Sequence, residues 1–231
     1  MSNVKESDIV ENIRQTLGLP AQKVNEAYVT QAKKYKLNTE FLSNKSKTAR
    51  QEDLEQHIVG LNEISAKLDT ASRDDADKYS SEFRQLKVDE VHLLNASFFR
   101  AYHFENISDL QSQITMDTMT FLRLERDFGS FDNWQKDFIA CGMSSRNGYV
   151  VCGYNVMLSR YMNFVVDIES VNVPIGTYPV IVLDVSEGAY YRDYLNDRKT
   201  YIVAMMKELN WDRIEERIKK CEKISKIMKR N

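Results

Sequence analysis

Histidine and cysteine, the residue types that most often carry metal or nucleophile chemistry, are scarce and scattered in this chain of 231 residues. The three cysteines are Cys141, Cys152 and Cys221, and no two of them form a Cys-x-x-Cys pair. This odd number without close spacing disfavours a disulfide framework or a cysteine-rich zinc site and favours a reducing compartment. No spacing typical of a Ser/His/Asp or Cys/His enzyme, a phosphate-binding loop or a dinucleotide fingerprint occurs.

The composition is that of an ordinary globular protein, with 42% hydrophobic and 29% charged residues. The 32 Lys and Arg nearly balance the 34 Asp and Glu, which disfavours a protein whose main role is to coat nucleic acid. Three prolines and eight glycines are too few for long disordered linkers. No run of about 18 apolar residues predicts a membrane span. The polar N-terminus is unlike a signal peptide.

Apolar periodicity divides the chain into a helical half and a mixed half. In the first half it predicts helices at 7–17, 20–37, 54–68 and 83–99, with a polar surface connection over 42–53. The second half is predicted to have helices at 114–128 and 130–141, strands at 149–154, 161–168 and 180–185, and helices again from 187 onward. The pattern therefore predicts an α+β fold with about three strands.

One segment of the mixed half resembles the signature of the iron/manganese superoxide dismutases. Residues 184–194 begin Asp-Val-Ser-Glu-Gly-Ala-Tyr-Tyr, similar to that family's Asp-Val-Trp-Glu-His-Ala-Tyr-Tyr. Further motifs match in the same order at 27–29, 95–99, 127–131, 148–155, 196–198, 201 and 210–211. The resemblance implies a helical hairpin domain over 1–105. An α/β domain with a three-stranded antiparallel sheet and a basic C-terminal helix is implied over 106–231.

The resemblance also implies a redox metal held by three imidazoles and one carboxylate, and the sequence departs from this set. The carboxylate position is Asp184, whereas two of the histidine positions are Gly188 and Ala96. The third is expected within residues 19–21, where the chain has no histidine. We therefore expect no bound metal, no cofactor and no enzymatic activity.

Neighbouring positions complete the expected vestigial pocket. Tyr28 and Tyr191 match tyrosines near the entrance to the metal, and both are expected to pack as core or interface aromatics. His92 and His103 lie where a helix would not direct them toward the lost imidazole. Gly188 leaves a space that we expect a bulky neighbour, such as a tyrosine, to fill. The pocket then consists of Asp184, Gly188, Ala96, Tyr28 and Tyr191.

These departures favour a catalytically inactive dismutase-like protein that serves as a structural or interaction subunit of a large assembly. A phage virion is favoured over a mitochondrial-ribosome-type complex, because the charge is near neutral and no transit peptide is seen. A virion or cytoplasmic location is expected, neither secreted nor in a membrane. The alternative function is a metal-dependent superoxide dismutase with relocated ligands.

The C-terminal segment is basic and extends past the part that resembles the family. Residues 213–231 carry eight basic residues and three acids, which is typical of a solvated surface helix or of a helix that docks an acidic partner. The candidate docking residues are Arg217, Lys219, Lys220, Lys223, Lys226, Lys229 and Arg230. The expected partners are protein subunits, homo- or heteromeric, with nucleic acid an alternative that nothing indicates. In the family, the glutamate at the position of Glu187 bonds a histidine of the second subunit across the dimer interface. That histidine position is Gly188 in this chain, so the resemblance does not imply a homodimer.

Overall fold

The structure is a computed structural model that describes residues 28–108, 112–168 and 171–228. Its helices are α1 (Asn44–Thr70), α2 (Glu82–Ile107), α3 (Met119–Phe128), α4 (Phe131–Ser144), α5 (Glu187–Tyr194), α6 (Arg198–Lys207) and α7 (Trp211–Met228). Its strands are β1 (Tyr149–Asn155), β2 (Arg160–Val166) and β3 (Thr177–Asp184). The predicted α+β class is confirmed.

The first two helices form an antiparallel hairpin. Ser43 and Ser81 cap them, since each side chain accepts a hydrogen bond from the main-chain N–H three residues later. Leu68 near the end of α1 packs in one apolar cluster with Leu86 near the start of α2. This arrangement brings the first turns of α1 beside the last turns of α2.

Two sequence predictions about the region before Leu54 are wrong. The helix predicted over 20–37 is not found in its described part, because residues 28–39 are not helical. Side chains of α1 hold this segment instead, with Gln51 bonded to the main chain of Tyr35. The predicted surface connection over 42–53 is mostly helix, since α1 begins at Asn44. The helix predicted at 7–17 lies outside the described residues.

The sheet is antiparallel, in the order β2-β1-β3. All seven residues of the central strand β1 are buried, as expected for a strand covered on both faces. Tyr149 at the start of β1 pairs with Asp184 at the end of β3. The end of β3 therefore lies beside an aromatic side chain in the middle of the sheet.

The hairpin is fixed to the sheet through α2 and β3. The amide of Asn106 donates a hydrogen bond to the carbonyl of Val182 at 2.8 Å. Helices of the second half cover the sheet around a core that includes Trp134, Phe138, Tyr161, Ile181, Leu183, Ile202 and Met205. Within the described ranges, no helix is both long and apolar enough to span a bilayer.

Candidate functional site

Asp184 is a buried carboxylate at the point where β3 ends. Its side chain is 1% exposed, and burial of an unpaired carboxylate would be strongly unfavourable. Oδ2 accepts a hydrogen bond from Arg50 Nη2 at 2.7 Å. Oδ1 accepts two from Ser186, at 2.6 Å from the hydroxyl and 3.0 Å from the main-chain N–H. Both carboxylate oxygens are thus engaged.

Arg50 reaches this carboxylate from α1. It precedes buried Leu54 by four residues and so lies on the same face of the helix. Its Nη1 donates to Asp53 Oδ2 at 2.6 Å, and Nη2 also donates to Ser186 Oγ at 2.9 Å. A Cβ atom added at Gly188 would lie 2.7 Å from Arg50 Nη1. The space beside Gly188 is therefore filled, although by an arginine and not by a tyrosine.

A second arginine, Arg100 of α2, completes the charge cluster. Its Nη1 lies 3.1 Å from Asp53 Oδ2, and its Nη2 lies 3.8 Å from Asp184 Oδ2. Nη2 also donates to the hydroxyl of Tyr149 at 3.4 Å. The Nε atom of Arg100 is buried and has no hydrogen-bond partner among the described residues. Two guanidinium groups and two carboxylates balance in charge at this site.

The arginines keep Asp184 ionised. Burial alone would raise the pKa of this carboxyl, but the attraction of Arg50 and Arg100 outweighs burial and holds the pKa well below its usual value. Burial likewise opposes the charged form of Arg50, yet Asp184 and Asp53 raise its pKa above the usual value. Asp184 and Arg50 are therefore both charged at neutral pH.

His103 also lies against Asp184, through main-chain atoms. Its Nδ1 is 3.5 Å from the main-chain nitrogen of Asp184, and its ring makes a hydrogen bond with the main chain of Val182. Burial lowers the pKa of His103 to about 4, so the imidazole is neutral at pH 7. The sequence placed this histidine away from the site, whereas the structure places it at the end of β3.

The residues around Asp184 do not fit iron or manganese in this arrangement. Both oxygens of the carboxylate accept hydrogen bonds from Arg50 or Ser186, and two guanidinium groups would repel an incoming cation. His103 is engaged with the main chain of β3. Across residues 28–108, 112–168 and 171–228, no three His, Cys, Asp or Glu side chains are grouped so that they could hold a metal ion.

The three other residues of the predicted pocket differ in where they lie. Ala96 is fully buried on α2, one helical turn before Arg100. Tyr191 is 51% exposed and lines a surface cavity of about 450 Å³ together with Gly188. Tyr28 does not belong to the pocket, because its N–H donates to Ser65 Oγ, far along α1 from the Asp184 end. Ser65 follows Arg50 by 15 residues, or about 22 Å along the helix axis.

The candidate docking residues on α7 separate into buried and exposed groups. Arg217 is buried, and its Nη2 donates to Glu105 Oε2 at 2.7 Å, so this arginine is unsuited to surface docking. Lys219 is exposed and pairs with Glu215 at 3.0 Å. The exposed lysines Lys220, Lys223 and Lys226 have no ion-pair partner among the described residues. Lys229 and Arg230 lie outside the described residues.

Comparison with known proteins gives matches to one family over much of the chain. Residues 117–217 match the family described as iron/manganese superoxide dismutases, C-terminal domain. The chain is 30% identical over 176 residues to the superoxide dismutase (Fe) of Aquifex pyrophilus, covering 75% of this chain and 82% of that relative. The superoxide dismutase (Fe) of Aquifex aeolicus matches at the same identity and coverage.

The chain belongs to the iron/manganese superoxide dismutase family. The superoxide dismutase (Mn) 2 of Halobacterium salinarum is 34% identical over 93 residues, which are 40% of this chain and 46% of that relative. The expectation that this family member is not an enzyme is wrong, because its relatives at 30% identity are named superoxide dismutases. The expectations of a pseudoenzyme and of a structural virion protein are overturned by the same relatives.

Sequence reasoning missed Arg50, Asp53 and Arg100, which form the charged part of the site. A signal for Arg50 was present in its spacing of four from Leu54, and Arg100 has the same spacing from Ala96. The assignment of 42–53 to a surface connection hid the first of these. The match of residues 27–29 to the family's Ala-Tyr-Val places the first-helix histidine position at 19–21, which lies outside the described residues. Among the described residues, Arg50 of α1 is a residue that faces Asp184.

Proposed function

We propose that this chain acts on superoxide as a metal-dependent dismutase, with ligands other than the three imidazole positions that the resemblance implies. The observation that carries the proposal is its similarity to the dismutases of Aquifex, which extends over 82% of their length. The ion cluster at Asp184 limits the proposal. As arranged, both oxygens of Asp184 already accept hydrogen bonds, so the ligands would have to be assembled elsewhere in the chain.

The test is metal content followed by activity on the full chain. The protein is purified from medium supplemented with iron or manganese, its metal content is measured, and superoxide removal is assayed before and after chelation. Stoichiometric metal and a rate that falls with metal removal are expected. No metal after loading, together with a rate no faster than spontaneous dismutation, would overturn the proposal.

A variant separates relocated ligands from a site at Asp184. Asp184→Asn removes the carboxylate charge and is assayed at a temperature where circular dichroism shows it folded. With relocated ligands, its metal content and rate per folded chain should match those of the wild type. Loss of both, with Asp75→Asn as an exposed control that keeps them, would place the metal at Asp184 and contradict the relocation.

A second function, binding of an acidic protein partner, is favoured by the outer face of α7. Lys220 and Lys223 lie on this face with Ile224 and Ile227, which are 39% and 61% exposed. Spacings of three, four and seven put these four side chains on one stripe, opposite the buried Ile214 and Ile218. We propose that this stripe docks an acidic surface of a protein subunit.

Polyglutamate serves as the probe of this docking stripe. The wild type should bind it, with an affinity that falls as salt is raised, because exposed charges are screened. The double variant Lys220→Glu, Lys223→Glu should lose binding, whereas Lys67→Glu, Lys136→Glu, an equal charge change on exposed lysines elsewhere, should keep it. Equal losses in both double variants would contradict a specific stripe. Preference for duplex RNA over polyglutamate would indicate a nucleic acid instead.

A further inference from the structure

The guanidinium of Arg50 lies where the resemblance implies a metal centre. It bonds Asp184, the carboxylate position of the implied ligand set, at 2.7 Å. It also lies against Gly188, one of the implied histidine positions, so closely that a Cβ atom there would be 2.7 Å from Nη1. A single cationic group thus contacts two of the four implied ligand positions.

Hydrogen bonds and burial fix the position of this guanidinium. Asp53, Asp184 and Ser186 accept its hydrogen bonds at 2.6 to 2.9 Å, and the side chain is 12% exposed. Hydrogen bonds between charged groups at such distances are the strong ones. Gly188 is consistent with this reading, since any larger residue would displace the guanidinium.

We propose that Arg50 is the resident cation of the Asp184 centre and replaces the metal ion there as the counter-charge of Asp184. The centre then joins the hairpin to β3 through a covalently attached positive charge. This inference goes beyond the proposed dismutation, because it concerns one centre of the fold and leaves open whether a metal is held elsewhere in the chain.

The first test measures thermal stability in the presence of a chelator. Arg50→Gln should lower the melting temperature by roughly 10 °C, since removal of one partner leaves Asp184 buried without its main counter-charge. Arg84→Gln, which makes the same change of charge at an exposed arginine on α2, is the matched control and should melt within about 2 °C of the wild type. Arg50→Lys should recover part of the loss. Equal melting of the Arg50→Gln and Arg84→Gln variants would overturn the proposal.

The second test asks whether the centre accepts a metal once the guanidinium is removed. The triple variant Arg50→His, Ala96→His, Gly188→His introduces three imidazoles. Two stand at the implied histidine positions 96 and 188, and the third replaces the guanidinium at position 50. After incubation with Mn²⁺ and gel filtration, this variant should retain manganese, and the manganese should be lost when Asp184→Asn is added. A folded triple variant that takes up no Mn²⁺ would contradict the placement of Arg50 at the metal position.

The wild type completes the test and separates this inference from the proposed dismutation. A wild type without metal and without activity would end the dismutase proposal, while the loss of stability in Arg50→Gln would still support the resident cation. A wild type whose metal content is unchanged by Asp184→Asn would support both. A wild type whose manganese disappears in the Asp184→Asn variant would overturn the resident cation.

Discussion

Two sites in the described part of the chain are built around largely buried arginines, and they are held in different ways. At the first, Arg50 and Arg100 share the carboxylates of Asp184 and Asp53. At the second, the Nη1 atom of Arg217 donates to the side-chain oxygen of Asn106 and to the carbonyl of Val180 at 3.0 Å. Its guanidinium carbon also lies 4.0 Å from the centre of the Tyr102 ring.

The difference shows how each centre responds to one lost partner. The Asp184 centre depends on one fully buried negative charge, and its removal leaves two positive charges that share the carboxylate of Asp53. The Arg217 centre relies largely on neutral acceptors, with the partly exposed carboxylate of Glu105 as its ionic partner. Removing one partner costs less stability when the group left behind is a neutral acceptor than when it is a buried ion. We therefore expect the first centre to be the more sensitive.

The largest effect is expected from Asp184→Asn. The change leaves Arg50 and Arg100 buried with only Asp53 as counter-charge, and it should lower the free energy of unfolding by about 4 kcal/mol. Urea denaturation of this variant beside Asp75→Asn, an exposed control, measures the difference. A loss below about 1 kcal/mol would contradict the greater sensitivity of the first centre, because it would show that this centre does not depend on the charge of Asp184.

A smaller loss is expected from Arg217→Gln, about 2 kcal/mol, because the buried acceptors at Asn106 and Val180 lose their donor. Lys220→Gln on the exposed face of the same helix should change stability by less than about 0.5 kcal/mol. The denaturant midpoints of the two variants, compared with that of the wild type, measure these losses of stability. If Arg217→Gln cost as much as Asp184→Asn, the distinction between the two centres would not hold.

The fold could be predicted from the sequence further than the site could. The β-branched and aromatic pattern at 149–154 is a local signal, and strand β1 confirms it. The antiparallel sheet, which the family resemblance implies, is also confirmed. Arg50 lies in a polar stretch of α1 that has few apolar residues before Leu54. Its helix is stabilised by contacts with distant segments, such as the bond to Asp184, which no local pattern reveals.

The third prediction concerns acid pH at the first centre. The pKa of His103 is lowered to about 4 by burial, so between pH 6.5 and 4 the unfolded chain binds a proton that the folded chain does not. Stability should therefore fall by about 1 kcal/mol from pH 6.5 to 5.5 on account of this residue. Asp184 adds nothing in that window, because its lowered pKa affects stability only at more acidic pH.

The measurement is the pH dependence of the unfolding free energy in the wild type and in His103→Gln. The variant should lose this part of the slope, whereas His92→Gln, at another histidine of α2, serves as the matched control. Identical slopes in the wild type and the His103→Gln variant would contradict a neutral buried imidazole at the end of β3.

The smallest effect is expected from Gly188→Ala. Alanine favours a helix by about 1 kcal/mol over glycine, but its Cβ atom would lie 2.7 Å from Arg50 Nη1 and displace it, for a net loss of about 0.5 kcal/mol. In the Arg50→Gln background the same change should be neutral or stabilising. A double-mutant cycle measures this coupling, and a coupling of zero would show that the glycine does not serve the arginine.

The bond between Arg50 and Asp184 joins positions 134 residues apart in the chain. Contacts between α1 and α2 are local by comparison, since only residues 71–81 separate these helices in the chain. Closing a long loop carries an entropic cost that must be met before the contact forms. During folding we therefore expect the two helices to assemble early and the ion pair to close last, which makes Arg50 variants accelerate unfolding while leaving the refolding rate nearly unchanged.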